Sequence, residues 1–163
     1  IPIMLFGIIM IPIWSAVTDA FVKNDFVWLK SILLKLNKAS LLFFIGIALM
    51  LVISPVVYNF WIGGKVIIPF IVSASMALHA AMTVFISPYS YYINGFGKLH
   101  IIYRLVIITS LLYIPLAIIF VKTPLQVAGV MLATCIINAI NTPLYIIQTN
   151  KIINRSAVGI WNK

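Results

Sequence analysis

Five long apolar runs, joined by short connections that hold nearly all the charge, leave this chain very few folds to choose from. The runs cover residues 1–20, 40–60, 66–86, 101–121 and 125–147. At about 1.5 Å of rise per residue, each is long enough for a helix to cross a hydrocarbon core roughly 30 Å thick. Inside lipid no water satisfies backbone N–H and C=O groups. Such a run must therefore close its hydrogen bonds within itself, as a helix, or laterally, in a closed barrel. Barrel strands alternate apolar and polar residues over segments of about ten, and none of the five runs does so. The predicted fold class is all-α: a polytopic transmembrane helix bundle with five spanning helices. It is expected to form a single membrane domain over residues 1–163, with an interfacial helix at 26–37 and a tail at 148–163.

Composition agrees with lipid as the solvent. The chain is 64% hydrophobic and 8% charged, against about a quarter charged in soluble domains, and its mean hydropathy is +1.19. The net charge of +9 is divided among the connections. A nucleic-acid site needs one continuous basic face, so the expected partner is an anionic membrane surface and not nucleic acid. The single cysteine, Cys135, has no internal disulfide partner and no metal-ligand spacing, and reads as a small core residue. The chain opens at Ile1, with neither a methionine nor a basic segment ahead of the first run, and is read as a piece lacking its N-terminal part.

The basic residues set an orientation. Lys23, Lys30, Lys35, Lys38, Lys98, Arg104, Lys151, Arg155 and Lys163 fall on one side of a five-span chain, and only Lys65 and Lys122 on the other. A nine-to-two split predicts a cytoplasmic C-terminus and an external first residue. In the first connection Phe26, Leu29, Leu33 and Leu36 share a helical face. Asp25 is placed to cap that helix, with Trp28 at the interface and Lys30, Lys35 and Lys38 among headgroup phosphates. On the outer side Trp61 and Lys65 frame a Gly63-Gly64 turn. On the inner side residues 88–97, PYSYYINGFG, read as a connection, with a turn at Asn94-Gly95 and tyrosines in the headgroup layer. Pro12, Pro55, Pro69, Pro115 and Pro143 are expected to kink their helices or to stand near helix ends.

Polar residues within spans fall at helical spacing: Ser75, His79 and Thr83; Thr109 and Tyr113; Thr134, Asn138, Asn141 and Tyr145. Three helices could thus turn polar faces to one interior. Those faces would either exchange interhelical hydrogen bonds, worth about 1 kcal/mol or less each, or line a wet cavity. Arg104, His79, Ser75, Asn138 and Asn141 are the candidate substrate-binding residues. Ser15, Thr18 and Asp19 share a face at the inner end of the first run and form a candidate gate, with Asp19 expected to pair with Arg104 or Lys23. Two acids and two histidines, His79 and His100, supply no paired-carboxylate site, no metal cluster and no glycine-rich phosphate loop. Neither catalysis nor a metal or other cofactor is expected in this segment.

Residues 12–30, PIWSAVTDAFVKNDFVWLK, resemble a segment of the bacterial polysaccharide flippases, in which a proline-hydrophobic-Trp-Ser-Ala-x-Thr-acid-Ala run precedes a basic-Asn/Gly-Asp-x-x-Trp-hydrophobic-Lys connection. Pro12, Trp14, Ser15, Ala16, Thr18, Asp19, Ala20, Asp25, Trp28 and Lys30 carry the match. Residues 92–98, YINGFGK, resemble the family's Asn-Gly-x-Gly connection, and the closing GIWNK the end of some members. The resemblance implies the multidrug/oligosaccharidyl-lipid/polysaccharide exporter superfamily, with about twelve helices in two similar halves, of which a five-span piece fits the eighth to twelfth. It implies transport of an undecaprenyl-pyrophosphate-linked oligosaccharide to the outer leaflet of the bacterial cell membrane by alternating access. The implied partners are that lipid-linked oligosaccharide, membrane lipids and other glycan-assembly proteins. Arg104 would approach pyrophosphate, as the one plausible cavity arginine where the family's cavity is often cationic, and Ser75, His79, Asn138 and Asn141 would line the sugar path. The alternatives are a drug or cation exporter of the same superfamily, which calls for embedded carboxylates, a membrane-bound glycan polymerase or acyltransferase, and a non-catalytic membrane subunit.

Overall fold

A computed structural model describes residues 1–63 and 68–162. Its elements are α1 (Pro2–Val22), α2 (Phe26–Ile62), α3 (Phe70–Phe96), α4 (His100–Val121), α5 (Gln126–Ile153) and a closing 3₁₀ turn, Gly159–Asn162. All five helices are long and apolar enough to cross a membrane, as the five runs require, and the chain is a multi-pass membrane protein. Gly64, Lys65, the first residues of the run at 66–86, and Lys163 lie outside the described residues.

α3 is the central helix, packed against α1, α2 and α5, whereas α4 touches only α5 and the 3₁₀ turn among the described residues. α1 lies along α3 through the ring pairs Trp14–Tyr91 and Phe21–Phe96, and meets α2 at Phe6–Phe43. The connections before α2 and before α4 gather with the C-terminal segment at one end of the bundle. Gln148 Nε2 donates to the Lys98 carbonyl at 2.8 Å, Lys98 Nζ to the Asn162 carbonyl at 2.9 Å, and the Arg155 guanidinium sits 4.4 Å above the Phe26 ring. That end carries Lys23, Lys30, Lys98, Lys151 and Arg155. Lys122 is at the other.

Two boundaries differ from the sequence reading. Residues 26–37 are not a separate interfacial helix; they are the first turns of α2, which runs unbroken for 37 residues. Nothing between Asn37 and Ser40 breaks a helix, and Leu29, Leu33 and Leu36 are buried in the core with Ile47 further along the same face. At about 1.5 Å per residue α2 is about 55 Å long, so some 25 Å of it exceeds a 30 Å hydrocarbon core. The second difference is at 88–97. Asn94-Gly95 does not turn; α3 continues through Phe96, and Tyr89, Tyr92, Ile93, Gly95 and Phe96 are buried. The chain turns instead at Gly97, whose φ of +67° is open to a residue without Cβ. α5 likewise runs on to Ile153, so Gln148, Thr149 and Ile152, read as tail, belong to the core.

Prolines inside the helices show how lipid-embedded backbone is satisfied. Pro55 cannot donate to the carbonyl of Leu51, and Ser54 Oγ donates to that carbonyl at 2.7 Å. Pro88 leaves the Val84 carbonyl without its helical donor, and Ser40 of α2, bonded to Leu36 O at 3.0 Å, also reaches Val84 O at 3.5 Å. Such substitutions by hydroxyls are what make proline tolerable within a span. Pro69 stands at the N-cap of α3, an end position, as expected.

The α1–α2 corner is made by Asn24 at φ +59°, a conformation asparagine tolerates, followed by the expected cap. Asp25 Oδ1 accepts from the Trp28 amide at 2.9 Å. Removing the cap with Asp25→Ala is expected to cost about 1 kcal/mol, read as a lower unfolding midpoint in micelles, with Asp25→Ser retaining most of it.

Candidate functional site

The polar stripes of α4 and α5 meet. Between these helices lies a groove of about 530 Å³ whose polar lining is Thr109, Ser110, Tyr113, Thr134 and Asn141. It lies near the middle of both helices. Asn141 is about 18 Å from the Ile153 end of α5, and Thr109 about 14 Å from the His100 end of α4, at 1.5 Å per residue. The i, i+4 spacing of Thr109 and Tyr113 puts both on one face of α4, and Thr134 and Asn141 face them from α5. Ser110 was not singled out from sequence. Its neighbour Thr109 marks the face, but only the packing of α4 on α5 shows that the face is wide enough to include both.

Hydrogen-bond bookkeeping sets the chemistry of this groove. Thr109 Oγ1 donates to the Leu105 carbonyl at 2.9 Å, with Val106 O at 3.3 Å, and Thr134 Oγ1 donates to Val130 O at 3.1 Å. Each hydroxyl proton is therefore committed to its own helix, while the oxygen lone pairs stay free to accept. Asn141 is 9% exposed, and its Oδ1 is buried without a hydrogen-bond partner among the described residues. An orphaned acceptor of this kind costs about 1–3 kcal/mol. Among the described residues no lysine, arginine or carboxylate lines the groove. It is uncharged and mostly apolar, with Val106, Ile114 and Ile137 beside the polar groups.

The stripe on α3 does not join it. Ser75 is buried and donates to its own helix at Val72 O, 2.9 Å, so it serves the helix and lines neither cavity. His79 borders a second cavity of about 460 Å³, whose lining is mostly aliphatic, with Tyr58 and Ser73 hydrogen-bonded to each other at 3.2 Å. His79 Nδ1 and Thr83 Oγ1 are buried without partners among the described residues. Asn138 is half-buried, lies about 60° around α5 from Asn141 at 100° per residue, and is not in the groove lining. The three polar faces expected to share one interior are thus divided, with α4 and α5 facing one cavity and α3 bordering another.

Arg104 and the gate residues also stand apart. Arg104 is exposed, on the face of α4 opposite Tyr113, since nine residues at 100° each bring the chain half a turn round. Asp19 pairs with Lys23 at 2.7 Å, the second of its two expected partners. The first is not engaged, because α1 and α4 make no contact. With side chains 64% and 69% exposed, the Asp19–Lys23 pair contributes under about 1 kcal/mol. Ser15 and Thr18 lie on the same exposed face, their hydroxyls donating to Pro12 O and Trp14 O of their own helix. Cys135 is buried, and no cluster of metal-ligating side chains exists among the described residues. The chain matches no known protein family, no curated protein and no solved structure.

Proposed function

We propose that this protein is a transporter that carries a lipid-linked oligosaccharide across the bacterial cytoplasmic membrane for surface polysaccharide assembly. The observation that carries the reading is the α4/α5 groove: uncharged, midway along both helices, with Thr109, Ser110, Tyr113, Thr134 and Asn141 set among mostly apolar side chains. A headgroup at rest in either leaflet stays at the membrane surface, and only one in transit needs hydrogen-bond partners near the midplane. The motif of residues 12–30 supports the same reading. The basic end of the bundle would face the anionic cytoplasmic leaflet, and the C-terminus would lie in the cytoplasm. Arg104, one turn into α4 from that end, would meet the pyrophosphate at the membrane surface and not inside the groove. A cation exporter fits less well, because the groove holds no carboxylate and Asp19 is exposed and paired.

Cells lacking this protein should lose surface glycan and accumulate the lipid-linked oligosaccharide on the cytoplasmic leaflet, where an added membrane-impermeant glycosidase cannot reach it in intact cells. Re-expression should restore both. Wild-type surface glycan in the deletion strain would overturn the reading.

A further inference from the structure

We infer that the C-terminal 3₁₀ turn, Gly159–Asn162, is a latch that holds the basic end of α4 closed on α5. Its release lets α4 swing outward about its other end and widens the α4/α5 groove. In the transporter proposed above this opens the groove toward the cytoplasmic side, but the device is defined by the contacts of α4 and stands without that role.

α4 is loosely anchored. Of its 22 residues only Ile102 and Thr109 are buried, and the bonded hydroxyl of Thr109 stays within the helix. Among the described residues no α4 side chain hydrogen-bonds another helix, and α4 packs on α5 and the 3₁₀ turn alone. By contrast α2, α3 and α5 are tied to one another. Asn37 Nδ2 donates to Tyr89 Oη at 3.0 Å, Tyr92 Oη to Leu29 O at 2.9 Å and Thr149 Oγ1 to Tyr89 O at 3.5 Å. An element with few buried contacts is the one that opens first.

The two ends of α4 are held differently. At the far end the main chains of α4 and α5 touch. The Phe120 carbonyl oxygen lies 2.7 Å from where a Cβ on Gly129 would stand, and it accepts two hydrogen bonds from Thr123. That contact is the pivot. At the basic end the turn into α4 is held through Lys98, whose carbonyl accepts from Gln148 Nε2 at 2.8 Å and whose Nζ donates to the Asn162 carbonyl at 2.9 Å. Lys151 Nζ fixes the 3₁₀ turn in its place, 4.2 Å from the Trp161 ring centroid. An exposed ammonium–carbonyl bond and a cation–π contact are each weak enough to break and re-form. With both released, Gln148 carries the turn by itself, so opening is a second population and not a complete swing. Lever lengths set what opens. At 1.5 Å per residue Thr109 lies about 16 Å from Phe120 and His100 about 30 Å, so the groove face moves about half as far as the basic end. Latched, the groove keeps a fixed width; released, it widens from Tyr113 toward Val106.

The test measures distances by double electron–electron resonance on the full chain in lipid nanodiscs, in a Cys135→Ala background. Spin labels on Tyr103→Cys of α4 and Lys30→Cys of α2, both exposed positions, report the basic end, and labels on Ile119→Cys and Phe60→Cys report the far end. Releasing the latch with Lys98→Met and Trp161→Ala together should raise the population of a longer basic-end distance about threefold or more over wild type. The far-end distance should stay as it is. Lys122→Met, which removes a cation from the far end, should change neither pair. If the double variant does not fold, Lys98→Met by itself decides the point with the same outcomes. Basic-end distances that do not change on release would overturn the latch. Equal broadening at both ends would overturn it too, because the turn would then brace the whole bundle. Failure of the transporter reading looks different: the released variant still opens, while the deletion strain exports glycan normally.

Discussion

Truncating Tyr92 to alanine is expected to lower the stability of the bundle by about 3–5 kcal/mol, as for other buried aromatic side chains cut back to Cβ. Tyr92 is fully buried and is the largest such side chain among the described residues. Its hydroxyl donates to the Leu29 carbonyl of α2 at 2.9 Å, and its ring meets Phe96 edge-on, 5.7 Å between centroids. It therefore fastens the start of α2 to the end of α3. Tyr92→Phe keeps the ring and loses only the hydrogen bond, so its cost should be about 1 kcal/mol. Unfolding in mixed micelles, followed by circular dichroism, separates the two. Were the 88–97 segment a surface connection, as its composition suggests, both variants would cost under about 0.5 kcal/mol, and the continuation of α3 through Phe96 would be wrong.

That segment shows where sequence stops being informative. Spanning helices are legible because lipid leaves the backbone no other way to pair, and long apolar runs report this directly. Pro88, Asn94 and Gly95 are turn-forming types, and locally they argue for a turn. What overrides them is distant in the chain. Ser40 reaches the carbonyl that Pro88 leaves free, and Gly95 is small because Val17 of α1 presses on it, not because the backbone bends there. Local pattern cannot separate a glycine that turns from a glycine that lets helices touch, and here Gly97 does the first and Gly95 the second. The same holds at 26–37, where the apolar face and the Asp25 cap were legible but the join to the span was not, since helix-compatible residues at 37–40 carry no mark of either outcome. The site follows this pattern. The stripes on α3, α4 and α5 could be read from spacing. Which of them face each other depends on packing order, and that α4 packs on α5 and on no other described helix is a tertiary fact.

The same two kinds of close contact give the second large expected effect, at Gly129. A Cβ added there would stand 2.7 Å from the Phe120 carbonyl oxygen, 2.9 Å from Phe120 Cβ and 3.0 Å from its carbonyl carbon. Every one of these atoms belongs to the main chain or is fixed to it. The carbonyl is held further by Thr123, whose Oγ1 donates to it at 2.6 Å and whose amide donates at 3.1 Å. Gly129→Ala must therefore push α5 off the end of α4, at an expected cost of about 2–3 kcal/mol, and it should open the adjoining groove as well. Gly95→Ala provides the contrast. Its new Cβ would meet Val17 Cγ1 at 2.8 Å and Val17 Cβ at 3.2 Å, so the worst overlap is with a side-chain atom that can be deleted. A cycle of Gly95→Ala with Val17→Ala should show a favourable coupling above about 0.5 kcal/mol. Gly129→Ala combined with Phe120→Ala should show none, because alanine retains both the Cβ and the carbonyl that cause the overlap. A rescue by Phe120→Ala would mean that α4 and α5 are held apart by side chains, and the groove would then be an adjustable gap instead of a fixed site.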